Sequence, residues 1–283
     1  MRERSITLRK AVNGVITGVA AATALVSLLM LLWILAVVVQ RGLAAIDWAF
    51  FTKLPSPPGE SGGGLANAII GTVVITLVAT ILGVPIGILA GTYVAEFGRY
   101  SRFADAVRFC ANILMGAPSI VIGVFVYTIV VVPMGRFSGL AGSLALAIIM
   151  LPVITRTTED MLRLVPNSMR ESALALGAPE HSMIVQVVFR AAKGGLLTGV
   201  MLAVARVSGE TAPLLFTALN SPYWSVALDK PMPNLTVTIF NYAMSPYADW
   251  QAKAWGASLL ITSAVLVMNI AARALARERR MTS

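Results

Sequence analysis

The chain has 283 residues, of which 57% are hydrophobic and 12% charged; an average soluble domain carries about 25% charged residues. Mean hydropathy is +0.81 and the net charge is +9, from 22 Lys and Arg against 13 Asp and Glu. A polar exterior cannot be built from this composition, so soluble globular, disordered, collagenous and disulfide-stapled classes are excluded and an all-α polytopic membrane protein remains.

A helix needs about 20 apolar residues to cross the hydrocarbon core. Uncharged or nearly uncharged stretches predict six transmembrane helices, near 15–38, 68–93, 110–132, 139–157, 195–219 and 254–274. The first is too long for a signal peptide and lacks a small-residue cleavage pattern, so it reads as a retained span. The second carries Gly83, Gly87 and Gly91 with Pro85 between, and the fifth carries Gly195 and Gly199. Small residues every fourth position let helix backbones approach closely. Cys110, the one cysteine, reads as a packing residue. The stretch 231–248 is also uncharged but holds Pro231, Pro233, Asn234, Asn241 and Pro246. It is placed outside the bilayer or in a short re-entrant helix. In domain terms, 1–64 is a tail, first helix and outer loop, 65–276 a five-helix transmembrane domain, and 277–283 a tail.

With the N-terminus inside, the inner segments hold sixteen Lys and Arg and the outer segments five, with Arg206 inside a span. That bias predicts two cytoplasmic termini, and it explains the surplus charge without nucleic acid. Trp48, Trp224, Trp250 and Trp255 fall near the outer interface, as an aromatic belt does.

The longest inner loop, 156–193, is not a simple linker. Pro166-Asn167 breaks the chain, and Ser168-Met169-Arg170-Glu171 reads as a capping box. Gly177 ends the short helix that follows. Pro179 opens a second helix over 180–190, with Ile184, Val185, Val188 and Phe189 as its apolar stripe. His181 reads as a surface residue, and Glu159-Asp160 with Arg156 and Arg163 as a solvated helix end. Either this helix pair anchors the bundle at the interface, or it is a docking knob for a cytoplasmic partner.

Arg206 and Glu210 interrupt the fifth span. Four residues apart, they share a helical face and can pair. A charge at the bilayer centre costs at least about 2.5–3.5 kcal/mol and almost always faces a bundle interior or a wet cavity. Gly209 and Pro213 predict a kink or break beside them. The pair is either a bridge fixing helix register or an anion site on a transport path, with Thr211 alongside. Arginine suits oxyanions because its planar fork donates parallel hydrogen bonds and never loses its charge.

Glu171-Ser172-Ala173 with Gly177 six residues after the Glu resembles the EAA-loop motif of type I ABC importer permeases. In that family this loop forms the coupling helix, which implies ATPase contacts by Glu171, Ser172, Ala173, Leu176 and Gly177. The family often has a Leu-Pro pair about thirteen residues after the Gly, where this chain has Phe189-Arg190 and so lacks the bending proline. The run from Ala205 to Leu215, ARVSGETAPLL, resembles the ARxxGETAPLL signature of phosphate importer permeases. Gly116 to Gly123, GAPSIVIG, is similar to their GxPSIVxG segment, and Leu151 to Glu159 to their fourth-span exit.

The resemblance implies a permease subunit of an ATP-driven phosphate importer in the bacterial inner membrane. It implies four kinds of partner: the membrane itself, a second permease, two ATPase subunits and a periplasmic phosphate-binding protein. No cofactor is expected on this chain. Gly62-Gly63-Gly64 is followed by Leu, so no Walker A loop exists and ATP-Mg belongs to the ATPases. A related oxyanion importer, or less readily an ion-coupled secondary transporter, remains as an alternative. The latter leaves the capped loop unexplained and finds no second acidic residue in a span. An intramembrane enzyme lacks a Ser–His or paired-Asp arrangement in the spans.

Overall fold

A computed structural model describes residues 6–98 and 101–278, with side chains described for 8–98 and 101–274. Arg2, Arg4, Arg99, Arg279 and Arg280, used above to orient the chain, lie outside the described residues, as does most of the 277–283 tail.

The described residues are helical and contain no strand longer than the isolated bridge Pro55–Gly63. Helix α1, Ile6–Ala45, is exposed along nearly its whole length. It touches the rest mainly through the last helix, where Gly42 lies against Leu259 and Arg41 sits 5.2 Å over the Trp255 ring. The short α2, Trp48–Thr52, is capped by Asp47, which accepts from the Phe50 N–H at 2.7 Å.

The centre is the pair formed by α3, Ala66–Phe97, and α6, Gly139–Arg163. The glycine spacing explains the contact. A Cβ at Gly83 would lie 3.3 Å from the Ala147 carbonyl oxygen, and one at Gly87 would lie 2.8 Å from the Ile154 Cβ. Bare backbone therefore lets the two helices close, and Ile75, Leu146, Met150 and Ile154 are buried between and around them. In the same way Gly199 rests on the Thr157 side chain, which brings α8, Glu180–Val207, against α6. The closing helix α11, Ala248–Glu278, packs on α1, α8 and α10, Leu235–Ala243.

Among the described residues five helices are long and apolar enough to span a membrane, and six if a bent pair counts as one span. That pair corrects the expected third span. Instead of one helix over 110–132, α4, Arg102–Gly116, turns by 107° into α5, Ser119–Met134. Pro118 sits at the elbow, where the missing N–H and fixed φ stop the helix. The fifth span is also displaced. It begins in the inner loop at Glu180 and stops at Val207, not Leu219. A wide π-turn at Met183–Val188 carries the loop helix into the span without a bend, as the missing proline at Arg190 allows. The widened turn moves the apolar stripe: Met183, Ile184 and Val188 are buried, while Val185 is exposed.

The stretch 231–248 forms the short helix α10, as its prolines suggested. Asn234 caps it, accepting from the Val237 N–H at 2.9 Å and donating to the Leu219 carbonyl at 3.0 Å. Lys253 of α11 is buried and holds the loop before α3 through Ser56 Oγ at 3.1 Å and the Gly62 carbonyl.

Candidate functional site

Helix α8 ends where Gly209 and Pro213 required. Its last residue is Val207, and a separate turn, α9, Ala212–Leu215, follows with Pro213 in its first positions. The break rules out the expected pairing. Once the helix stops, residues 206 and 210 no longer share its face, and no ion pair joins Arg206 to Glu210. The Arg206 side chain is exposed, and Glu210 and Thr211 are half-buried. None of the three side chains has a hydrogen-bond or ion-pair partner among the described residues.

What the chain does fix is the backbone around them. Thr236 Oγ1 donates to the Glu210 carbonyl at 2.9 Å, and Asn234 Oδ1 holds Thr236 at 3.1 Å. The Thr211 carbonyl accepts from the N–H groups of Leu214 and Leu215, closing α9. Against this turn sits α5. A Cβ at Gly123 would lie 2.6 Å from the Pro213 Cα, so only glycine lets α5 come this close. The Gly116 to Gly123 segment and the GETAP word thus meet in space. Leu202 and Arg206, one turn apart near the end of α8, are both exposed on one helical face.

The arrangement leaves a cation, a carboxylate and a hydroxyl unsatisfied beside a rigid backbone turn. Charged groups in an apolar bundle persist only when paired or facing water or a ligand. A free guanidinium can donate two parallel bonds to an oxyanion.

At the other end of α8 lies the loop knob. Helix α7, Asn167–Ala175, starts one residue before the expected cap: Pro166 occupies the cap position and no side chain bonds there. The Ser168–Glu171 capping box is therefore not formed, because Pro166 sets the extended start and Ser168 already lies in the helix. Gly177 ends the turn at φ +81°, with the Ala178 N–H reaching back to the Ala173 carbonyl at 3.1 Å. Glu171, Ser172, Leu176 and Gly177 are exposed, while Ala173 is buried with Leu162, Met183 and Val188. Met169, Leu174 and Leu176 are exposed apolar residues of this knob. His181 is exposed, as expected.

Two ionic clusters centre on buried carboxylates: the sequence grouped Glu159 with Arg156 and Arg163 but as a solvated end without Arg108, and it gave no pairing of Glu96 with Arg170. Glu159, 1% exposed at its side chain, accepts from Arg108 at 2.8 Å and Arg156 at 3.3 Å and forms an ion pair with Arg163 at 2.8 Å, so its carboxylate is not solvated. Glu96 pairs with Arg170. The one available signal was that Glu96 is the first charge after the uncharged run 61–95.

Up to six crossings, an exposed knob ended by Gly177 and an unpaired arginine at a broken span are the features of a polytopic transport permease. The chain belongs to the family of binding-protein-dependent transport system inner membrane components, whose pattern matches residues 83–281. It is 49% identical over 279 residues to the phosphate transport system permease protein PstA of Yersinia pestis, covering 99% of this chain and 95% of that one. It is 37% identical to the probable phosphate transport system permease protein PstA of Methanocaldococcus jannaschii, with 90% of each covered. Among solved structures, the inward-facing MetNI methionine ABC transporter is similar in fold, with a TM-score of 0.61 and 20% identity over 76% of this chain and 95% of that chain. The chain is thus a multi-pass membrane protein with the importer-permease fold expected of it.

Proposed function

We propose that this chain is the PstA-type permease of an ATP-driven inorganic phosphate importer. The observation that carries the reading is the Arg206 side chain, exposed and without a partner among the described residues at the broken end of α8. The 49% identity to a named phosphate permease supports it. Phosphate offers the tetrahedral oxygens that a guanidinium fork grips, and Thr211 adds a neutral hydroxyl at the same turn. Glu210, past the end of α8, does not pair with Arg206, which leaves the guanidinium to the anion.

A PstC-type second permease supplies the opposite wall of the path. Two PstB-type ATPases bind and hydrolyse ATP-Mg and dock on the knob at Glu171, Ser172, Leu176 and Gly177, with Ala173 fixing it from behind. A PstS-type periplasmic protein delivers phosphate from outside. Both termini lie in the cytoplasm of a bacterial cell, with the chain in the inner membrane. The test is uptake of labelled phosphate into proteoliposomes carrying all subunits, with ATP or a non-hydrolysable analogue. Uptake only with ATP supports the reading. Uptake driven by an ion gradient without ATP overturns it.

A further inference from the structure

The inner end of α3 does not stop as a plain α-helix. Its last turn, Tyr93–Phe97, is a π-turn, and it presents two groups to two different neighbours. The Glu96 carboxylate, 7% exposed, receives a fork from Arg170 of α7: Nε to Oε2 at 3.0 Å and Nη2 to Oε1 at 2.7 Å. The remaining Arg170 donors reach the Val165 carbonyl at 2.6 Å and the Leu162 carbonyl at 2.8 Å, at the inner end of α6. One guanidinium therefore fastens the knob to α3 and α6 together. Two residues before Glu96, the Val94 carbonyl accepts from Arg108 Nη2 at 3.1 Å, and Arg108 Nε donates to Glu159 at 2.8 Å.

Arg108 belongs to α4, which turns through the 107° elbow into α5, and α5 carries Gly123 against Pro213 in α9, the turn that follows the break after Val207. A series of contacts thus runs from the knob to the turn α9, a few residues along the chain from Arg206. Adjacent residues divide the work: Glu171 is exposed on the knob and Arg170 points into the bundle.

We propose that the Arg170–Glu96 fork is the tie through which movement of α7 reaches α3 and, by way of Val94 and Arg108, the α4–α5 elbow. The inference rests on the reading of the chain as an ATP-driven permease. Arg170 and Glu96 are positioning residues, touching neither phosphate nor ATP. A flexible attachment would let the knob follow the ATPases without moving the helices, whereas a bidentate buried fork has one geometry and transmits displacement. Physical intermediacy alone does not establish coupling, so the test must read coupling directly.

The full complex in proteoliposomes is assayed in parallel for phosphate uptake and ATP hydrolysis, and the ratio of the two is compared among variants. Arg170→Gln and Glu96→Gln are expected to keep hydrolysis while uptake per ATP falls by about tenfold, the scale of ordinary coupling between sites. Arg170→Lys, which keeps the charge and loses the fork, falls between. The double variant Glu96→Met with Arg170→Met removes both buried charges, so it should assemble well, yet its ratio should stay low. A wild-type ratio in every variant that assembles, or in the double variant, overturns the tie, as does failure of all of them to assemble. Absence of ATP-driven uptake in the wild-type complex instead overturns the transport reading, and the tie with it.

Discussion

Arg170 and Arg206 are the same residue type on neighbouring elements of one chain, and the fold treats them oppositely. Arg170 makes four hydrogen bonds, two to a buried carboxylate and two to backbone carbonyls. Arg206 makes none with its side chain. A guanidinium whose donors are consumed by its own chain holds shape, and one left unsatisfied beside a rigid turn is available to something that arrives. The contrast also separates two kinds of loss. Removing Arg170 strands a partner, whereas removing Arg206 strands nothing in the chain.

The sharpest way to break this comparison is Arg206→Gln. Each charge-assisted bond contributes about 1.5–3 kcal/mol, so losing a two-bond grip should cut phosphate uptake by about 100-fold or more, with the amount of assembled complex unchanged. Arg206→Lys should lie between, since an ammonium keeps the charge without the fork. Next in size, Arg170→Met leaves Glu96 buried and uncompensated, costing about 3–5 kcal/mol; thermal melting of the detergent-solubilised complex should fall clearly. Gly123→Val drives new methyl groups into Pro213 and should cost about 1–3 kcal/mol, seen as reduced uptake with ATP hydrolysis retained. The smallest effect belongs to Gly177→Ala. At φ +81° a Cβ costs about 1–2 kcal/mol, which should shift melting by a few degrees and weaken ATPase association modestly.

The sequence made the helical class, the number of crossings, the knob and the break beside Arg206 legible, because hydropathy, Gly177, Gly209 and Pro213 act locally. The errors came from direction and distance. Hydropathy counts apolar residues without showing that Pro118 turns α4 away from α5. The π-turn at Met183–Val188 adds a residue to one turn, which is why Val185 left the apolar stripe. Pairing Arg206 with Glu210 assumed a helix running past the very glycine and proline that end it, and the break won. Glu159 looked solvated because its decisive partner, Arg108, lies 51 residues away, and Glu96 meets Arg170 across 74. Long-range ionic contacts leave no mark in local spacing.

The central claim is that the exposed face of α8 carrying Arg206 meets water that phosphate also enters. It is tested most directly at Leu202, one helical turn earlier on the same face, with Arg206 retained. In a Cys110→Ser background, which removes the one native cysteine, Leu202→Cys in the assembled complex is exposed to a membrane-impermeant thiol reagent with and without phosphate. The account predicts modification that phosphate slows. Labelling by lipid-soluble reagents alone, or modification that phosphate leaves untouched, would contradict it.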